Sequence, residues 1–121
     1  MGEKSNTSNP PIKAYHAHVY YEPSTKERAA RVRDEVAARF PDFRLGRWHD
    51  VPVGPHTRAM YQILFGPDRL KDFLPWLMLN RQGLAVLDHP ETGNDYKDHA
   101  EHAVWLGEML PLKLEVLAGG A

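Results

Sequence analysis

The chain of 121 residues contains no cysteine. That excludes disulfides, thiolate metal sites and cysteine nucleophiles together, and it fits a reducing cytoplasm, the expected compartment. Neither sign of charge dominates: 15 basic against 16 acidic residues leave a formal net charge of −1. With the charges interspersed, no polybasic surface for nucleic acid or an anionic membrane is expected. No apolar run reaches the roughly 18–20 residues of a membrane span. Serine occurs only at Ser5, Ser8 and Ser24, which leaves little for a serine triad. A GxSxG elbow, an HExxH zinc motif and a Gly-rich phosphate loop are all missing.

What stands out instead is histidine, with seven residues. Without thiolates, a metal site must be built from imidazoles and carboxylates. The opening MGEKSNTSNPP lacks the apolar core of a signal peptide and reads as a disordered lead-in over residues 1–11. The remainder, 12–118, has the size of one domain and, at 42% hydrophobic, the composition for a buried core.

Residues 12–21 are β-branched and aromatic with turn chemistry behind them, which predicts a first strand. Ser24 followed by Glu27 has capping-box spacing for a helix to about Arg39, with Ala29, Val32, Val36 and Phe40 as its buried stripe. The stretch FRLGRWHDV (43–51) predicts a second strand with Gly46 as a bulge, and HTRAMYQILF (56–65) a third. Gly66-Pro67-Asp68 opens a second helix, which the interior Pro75 is expected to kink or split. GLAVL (83–87) predicts strand four. The order βαββαβ matches a ferredoxin-like split βαβ sandwich, an α+β fold with an antiparallel sheet of order 4-1-3-2 and both helices on one face. Beyond it, 96–108 predicts a further helix and 111–117 a short final strand.

Side chains two apart on a strand share a face. In the first strand Tyr15, Ala17, Val19 and Tyr21 oppose His16, His18 and Tyr20; in the third, Ala59, Tyr61, Ile63 and Phe65 oppose a mixed set. Burying the apolar sets under the helices leaves His16, His18, Tyr20, His56, Arg58 and Gln62 on the other face. The antiparallel topology brings His56 towards the His18–Tyr20 end and His89 towards His16, giving a histidine-lined face that the third helix or a partner subunit would roof. Neighbouring neutral imidazoles form a platform for Fe, Cu, Zn or Ni; the alternative is polar decoration of a half-exposed strand. His99 and His102, three apart, form a possible pair on the third helix, or an exposed polar face. Arg58 suits a substrate carboxylate, or a surface ion pair.

The segments HAHVYY, GPHTRAMYQ and PWLMLNRQGLAVLDHPETGNDYKDHAEHAVWLGEMLPL together resemble the DOPA 4,5-dioxygenase family, over about residues 15–114. The resemblance implies a ferredoxin-like fold, often dimeric, and extradiol cleavage of a catechol by O₂ with a non-haem metal, generally Fe(II), though Zn or Cu would also fit such ligands. The family's histidines fall at His18, His56, His89 and His99. The expected ligands are then His18, His56 and His89, with His99 as base, His16 as a second catalytic residue behind the ligands or on the substrate side, and Arg58 and Tyr20 as substrate-binding residues. Many extradiol enzymes use two His and one carboxylate. Here Asp88 should face the opposite side of its strand, and Glu115 is the other carboxylate considered.

The resulting expectation is a cytoplasmic homodimer that opens a DOPA-like or other catechol acid to a semialdehyde acid. Rival readings are a non-catalytic metal- or ligand-binding module, a cofactor-free aromatic monooxygenase of the dimeric αβ-barrel type, and a structural domain whose open sheet face is a dimer interface.

Overall fold

A computed structural model describes residues 9–118, so most of the expected lead-in lies outside the described residues. Its elements are β1 (Ala14–Tyr21), α1 (Lys26–Arg39), β2 (Arg44–Leu45), β3 (Ala59–Phe65), α2 (Leu70–Asn80), β4 (Val86–Glu91), α3 (Asp95–Ala100), β5 (Val104–Leu106) and α4 (Glu115–Ala118). The sheet runs β2-β3-β1-β4-β5 with every neighbour antiparallel. The expected 4-1-3-2 order is present, and β5 extends it beyond β4. No described helix is long and apolar enough to cross a membrane.

Period-two burial explains the helical side. Ala17, Val19 and Tyr21 of β1 and Tyr61, Ile63 and Phe65 of β3 pack with Ala29, Val32 and Val36 of α1 and Phe73 and Leu77 of α2. Full burial of each large side chain contributes about 1.5–3 kcal/mol. The Tyr61 hydroxyl reaches the Ala29 carbonyl at 2.7 Å, so its polar tip is satisfied inside the core. Phe43 stacks on Phe65 and meets Phe73 edge-on, which closes the sheet under α2.

Five local expectations are corrected. The cap before α1 pairs Glu22 with Thr25, each side chain bonded to the other's backbone N–H, and not Ser24 with Glu27, because a 3₁₀ turn at Pro23–Thr25 precedes the helix. The second strand shrinks to Arg44–Leu45. Leu45 pairs with Ile63 and His49 with Met60, four steps on one strand against three on the other, so an extra residue bulges out around Gly46. Helix α2 is not split at Pro75, because the carbonyl that proline leaves unpaired belongs to solvent-facing Lys71. Finally, the helix expected over 96–108 stops at Ala100, because Val104–Leu106 pairs with the edge of β4. The strand expected over 111–117 is a single bridge at Leu112 followed by the helical turn α4.

The second sheet face is not open. Tyr20, Met60, Ala85, Leu87 and Leu110 form a second core, joined by Val53, Ala103, Trp105 and Leu112. Thr57 Oγ1 donates to the Pro111 carbonyl at 2.7 Å and Lys113 N–H to that of Pro55 at 2.8 Å, clamping the C-terminal segment in place. The chain's own C-terminal segment therefore covers this part of the face.

Candidate functional site

On the second face, the parity of β1 and β4 places His16, His18 and His89 together, with His16 directly opposite His89. His56 enters from the turn before β3 and is held by its bridge to Leu112. His99 comes down from α3. That helix is fixed by Asp98, 1% exposed, whose two oxygens accept from the Thr92 N–H (2.8 Å) and the Thr92 hydroxyl (2.7 Å). Asn94 caps its first turn through Lys97 N–H.

Five imidazoles thus meet. The ring centres of His18 lie 4.2 Å from His56, 5.1 Å from His89 and 6.0 Å from His99, and His89 lies 4.0 Å from His99. Two groups of three, His16/His18/His89 and His18/His56/His99, bring their ligand atoms within 4.8 Å of one another. His18 belongs to both. The expected trio of His18, His56 and His89 is neither of these groups, since His56 and His89 fall in different ones, but it contains the three least exposed of the five, at 3%, 4% and 4%.

The electrostatics keep these rings neutral. Burial, followed by the other imidazoles, holds His18 well below the usual histidine range. The same causes push His56 down to about 4 and His89 to about 3. Neutral imidazole is the ligating form, so a metal ion meets no competing proton here. The tautomers follow from hydrogen bonds. Nδ1 of His89 donates to the Pro90 carbonyl at 2.9 Å, so its Nε2 accepts from His18 Nε2 at 3.1 Å, whereas Nδ1 of His99 donates to the Asp95 carbonyl at 2.8 Å, which leaves the His99 Nε2 lone pair bare.

The rings surround a cavity of about 270 Å³, whose other lining residues are Gln62, Glu91, Asp95 and Asp98. Two expected site residues are not among its lining. Tyr20 stacks on Trp105 in the second core and meets the site through its hydroxyl, 2.7 Å from His56 Nδ1, and its ring, 5.6 Å from that of His56. Arg58 lies 3.8 Å from Glu22 and 3.9 Å from Glu108. Of the remaining histidines, His49 bridges Met60 and His102 is exposed.

Asp88 faces the helical side, as parity requires, and is buried with neither carboxylate oxygen hydrogen-bonded among the described residues. Burial raises it to about 7. Glu115 is exposed on α4 and does not line the cavity. The lining carboxylates Glu91 and Asp95 went unnoticed in the sequence. Glu91 shares a face with His89, two residues earlier, but GLAVL seemed to end the strand before Pro90. In the structure β4 continues through Pro90, because β5 pairs only with Val86–Asp88 and a strand proline is tolerated where one side has no neighbour.

An antiparallel α+β sandwich that gathers five histidines into one roofed cavity defines a class of small domain built to bind at that cavity. The chain belongs to the Dopa 4,5-dioxygenase family, whose family model matches residues 15–116. It is 36% identical over 115 residues to an uncharacterized 21.2 kDa protein of Botryotinia fuckeliana, covering 86% of this chain and 63% of that one. It is 30% identical over 111 residues to the DOPA 4,5-dioxygenase of Amanita muscaria, covering 85% of this chain and 49% of the enzyme. The chain therefore spans between about half and just under two thirds of the length of these curated relatives. Among solved structures, a candidate dioxygenase from Nostoc punctiforme superposes with a TM-score of 0.88 at 48% identity, covering 91% of this chain and 95% of that one.

Proposed function

We propose that this chain is a metal-dependent extradiol dioxygenase that opens a DOPA-like or other catechol acid to a semialdehyde acid, both atoms of O₂ entering the product. The observation that carries the reading is the gathering of five imidazoles, three of them buried and neutral, around one cavity.

The donor set suits Fe(II), and equally Zn or Cu. Two imidazole nitrogens bound to one ion at about 2.1 Å lie roughly 3.0–3.4 Å apart, and His18 Nε2 and His89 Nε2 stand 3.1 Å apart. Under the proposal, His18, His56 and His89 hold the iron, being the most buried rings. A bound Fe(II) supplies a template for both catechol oxygens and an electron relay to O₂. His99 Nε2, freed by the Asp95 hydrogen bond, takes the catechol proton, and the Asp98–Thr92 bonds hold α3 so that His99 stays in place. His16 lines the substrate side of the cavity. The proposal includes a homodimer, which sedimentation of the purified protein tests.

Anaerobic loading with Fe(II), addition of L-DOPA and other catechols, and admission of air should give a coloured semialdehyde with one O₂ consumed per ring, abolished by a chelator. Bound metal with no uptake on any catechol would make the chain a binding module. Turnover that survives complete metal removal would favour the cofactor-free monooxygenase.

A further inference from the structure

We propose that Gln62 touches the substrate: its carboxamide N–H donates to the catechol oxygen that gives up its proton and holds the negative charge left there. The inference rests on the ring-cleavage reading and adds a residue to it.

Gln62 stands on β3 directly opposite His18 of β1. Residues paired in this way share a face, with Cβ atoms about 4.5–5.5 Å apart. Its side chain lines the cavity beside the ring that belongs to both groups of histidines. The other lining residues are imidazoles and carboxylates. An ionised carboxylate only accepts, and a neutral imidazole that gives its lone pair to a metal has a single N–H left, on the nitrogen away from the ion. His89 and His99 commit that N–H to the Pro90 and Asp95 carbonyls. Gln62 carries the one amide among the described lining residues, and neither ionisation nor metal binding removes its two N–H groups.

The carboxamide is placed and left without a partner. Among the described residues, the hydrogen bonds of the lining join His18 to His89, His56 to Tyr20, His89 and His99 to backbone carbonyls, and Asp98 to Thr92; none reaches the Gln62 side chain. Its backbone is pinned instead. The Gln62 carbonyl accepts from Gly46 N–H at 2.7 Å, and Arg33 Nη1 donates to the Gly46 carbonyl at 2.7 Å. Gly46 brings no side chain alongside, where a Cβ would stand 3.5 Å from Gln62 Cβ. The neighbouring strand thus fixes Gln62 and leaves its polar end to a ligand. When the catechol O–H breaks, the proton passes to His99 Nε2 and the electron pair stays on oxygen, where a donor already in place stabilises it without reorganisation.

The test uses 4-nitrocatechol, whose colour changes as it ionises, titrated with pH on the Zn(II)-loaded protein, where the ion is colourless and transfers no electrons. Gln62→Met keeps the length of the side chain and removes both N–H groups. In it the bound probe should ionise about one pH unit higher, a tenfold loss for one hydrogen bond to a charged oxygen. Gln62→Glu adds a like charge and should shift it further the same way, whereas Gln62→Asn, a shorter amide, should recover part of the loss. Zinc stoichiometry and thermal unfolding should stay at wild-type values, and kcat/KM of the Fe(II) protein on L-DOPA should fall on the order of tenfold at equal iron content. Ionisation of the bound probe that is unchanged in Gln62→Met and Gln62→Glu, or a metal stoichiometry that falls along with the shift, would overturn the inference while leaving ring cleavage standing. A wild type that holds metal and binds no catechol would overturn both.

Discussion

The two faces of β1 carry alternate residues of one eight-residue strand to opposite ends. Ala17, Val19 and Tyr21 enter an apolar core under two helices, where the Tyr21 and Tyr61 hydroxyls reach Asp50 and the Ala29 carbonyl. His16, His18 and Tyr20 enter a face of buried imidazoles, where His18 Nδ1, like Asp88 and Trp76 Nε1 on the helical side, has no hydrogen-bond partner among the described residues. A buried polar atom without a partner costs about 1–3 kcal/mol. The helical face thus supplies the stability that the histidine face consumes, and one strand serves both because its side chains alternate.

The sharpest division of labour is expected at His18. In His18→Ala, iron binding and turnover should both be abolished, while the metal-free protein should unfold close to wild type, since the variant removes an unsatisfied buried nitrogen along with its packing. Metal analysis and denaturant titration read the two effects separately. Full iron occupancy in that variant would remove His18 from the ligand set.

Phe73→Ala should do the reverse. It empties the centre of the helical core, where Phe73 packs on Phe43, Phe65 and Trp76, and should cost about 3–5 kcal/mol. The folded fraction should still bind metal with unchanged stoichiometry. Loss of metal stoichiometry in protein shown by circular dichroism to be folded would mean that the two faces are not separable.

Acid should strain the histidine face next. His18 is held well below its ordinary range, His56 sits at about 4 and His89 at about 3. Unfolding raises each towards ~6.5, so the unfolded chain binds more protons between those values. Stability of the metal-free protein should therefore fall as pH drops from about 6.5 towards 4, by up to about 1.4 kcal/mol per pH unit for each histidine. Asp88, on the helical side of the same strand, has the opposite slope: raised to about 7 from 3.8, it favours the folded state at acid pH and opposes it as pH rises through that window. Three histidines outweigh one aspartate, so the net loss should come on the acid side. A midpoint of urea unfolding that is flat from pH 7 to 4.5 would contradict this.

Much of this contrast was legible in the sequence. The alternation in residues 14–21 assigned each side chain of β1 to its face, and turn and cap residues gave the order βαββαβ. What escaped was tertiary. Val104, Trp105 and Leu106 are strand formers inside a stretch with helical ends, and only the free edge of β4 decides between the two. The fourth strand was expected over 83–87 and runs on through Pro90 to Glu91, because a single strand does not reveal which neighbours it will have. The histidines were readable as a group because strand parity and topology converge on them. For Arg58 a substrate carboxylate and a surface ion pair were both open, and the choice fell to Glu22 and Glu108, which come from distant turns.

Tyr20 is where the comparison between faces can be broken most finely. By burial it belongs to the apolar cluster, stacked on Trp105; by its hydroxyl, 2.7 Å from His56 Nδ1, it belongs to the histidines. If His56 donates from Nδ1 to this oxygen, its Nε2 lone pair is turned to the cavity, the tautomer that a ligand needs. Tyr20→Phe keeps the ring and removes the bond. It should lower stability by about 1 kcal/mol and weaken metal binding on the order of tenfold, the lower end of what loss of a ligand's supporting hydrogen bond does. A calorimetric metal titration beside thermal unfolding separates the two. Lost stability with unchanged metal affinity would make Tyr20 a packing residue and place the boundary between apolar core and metal platform at His56 itself.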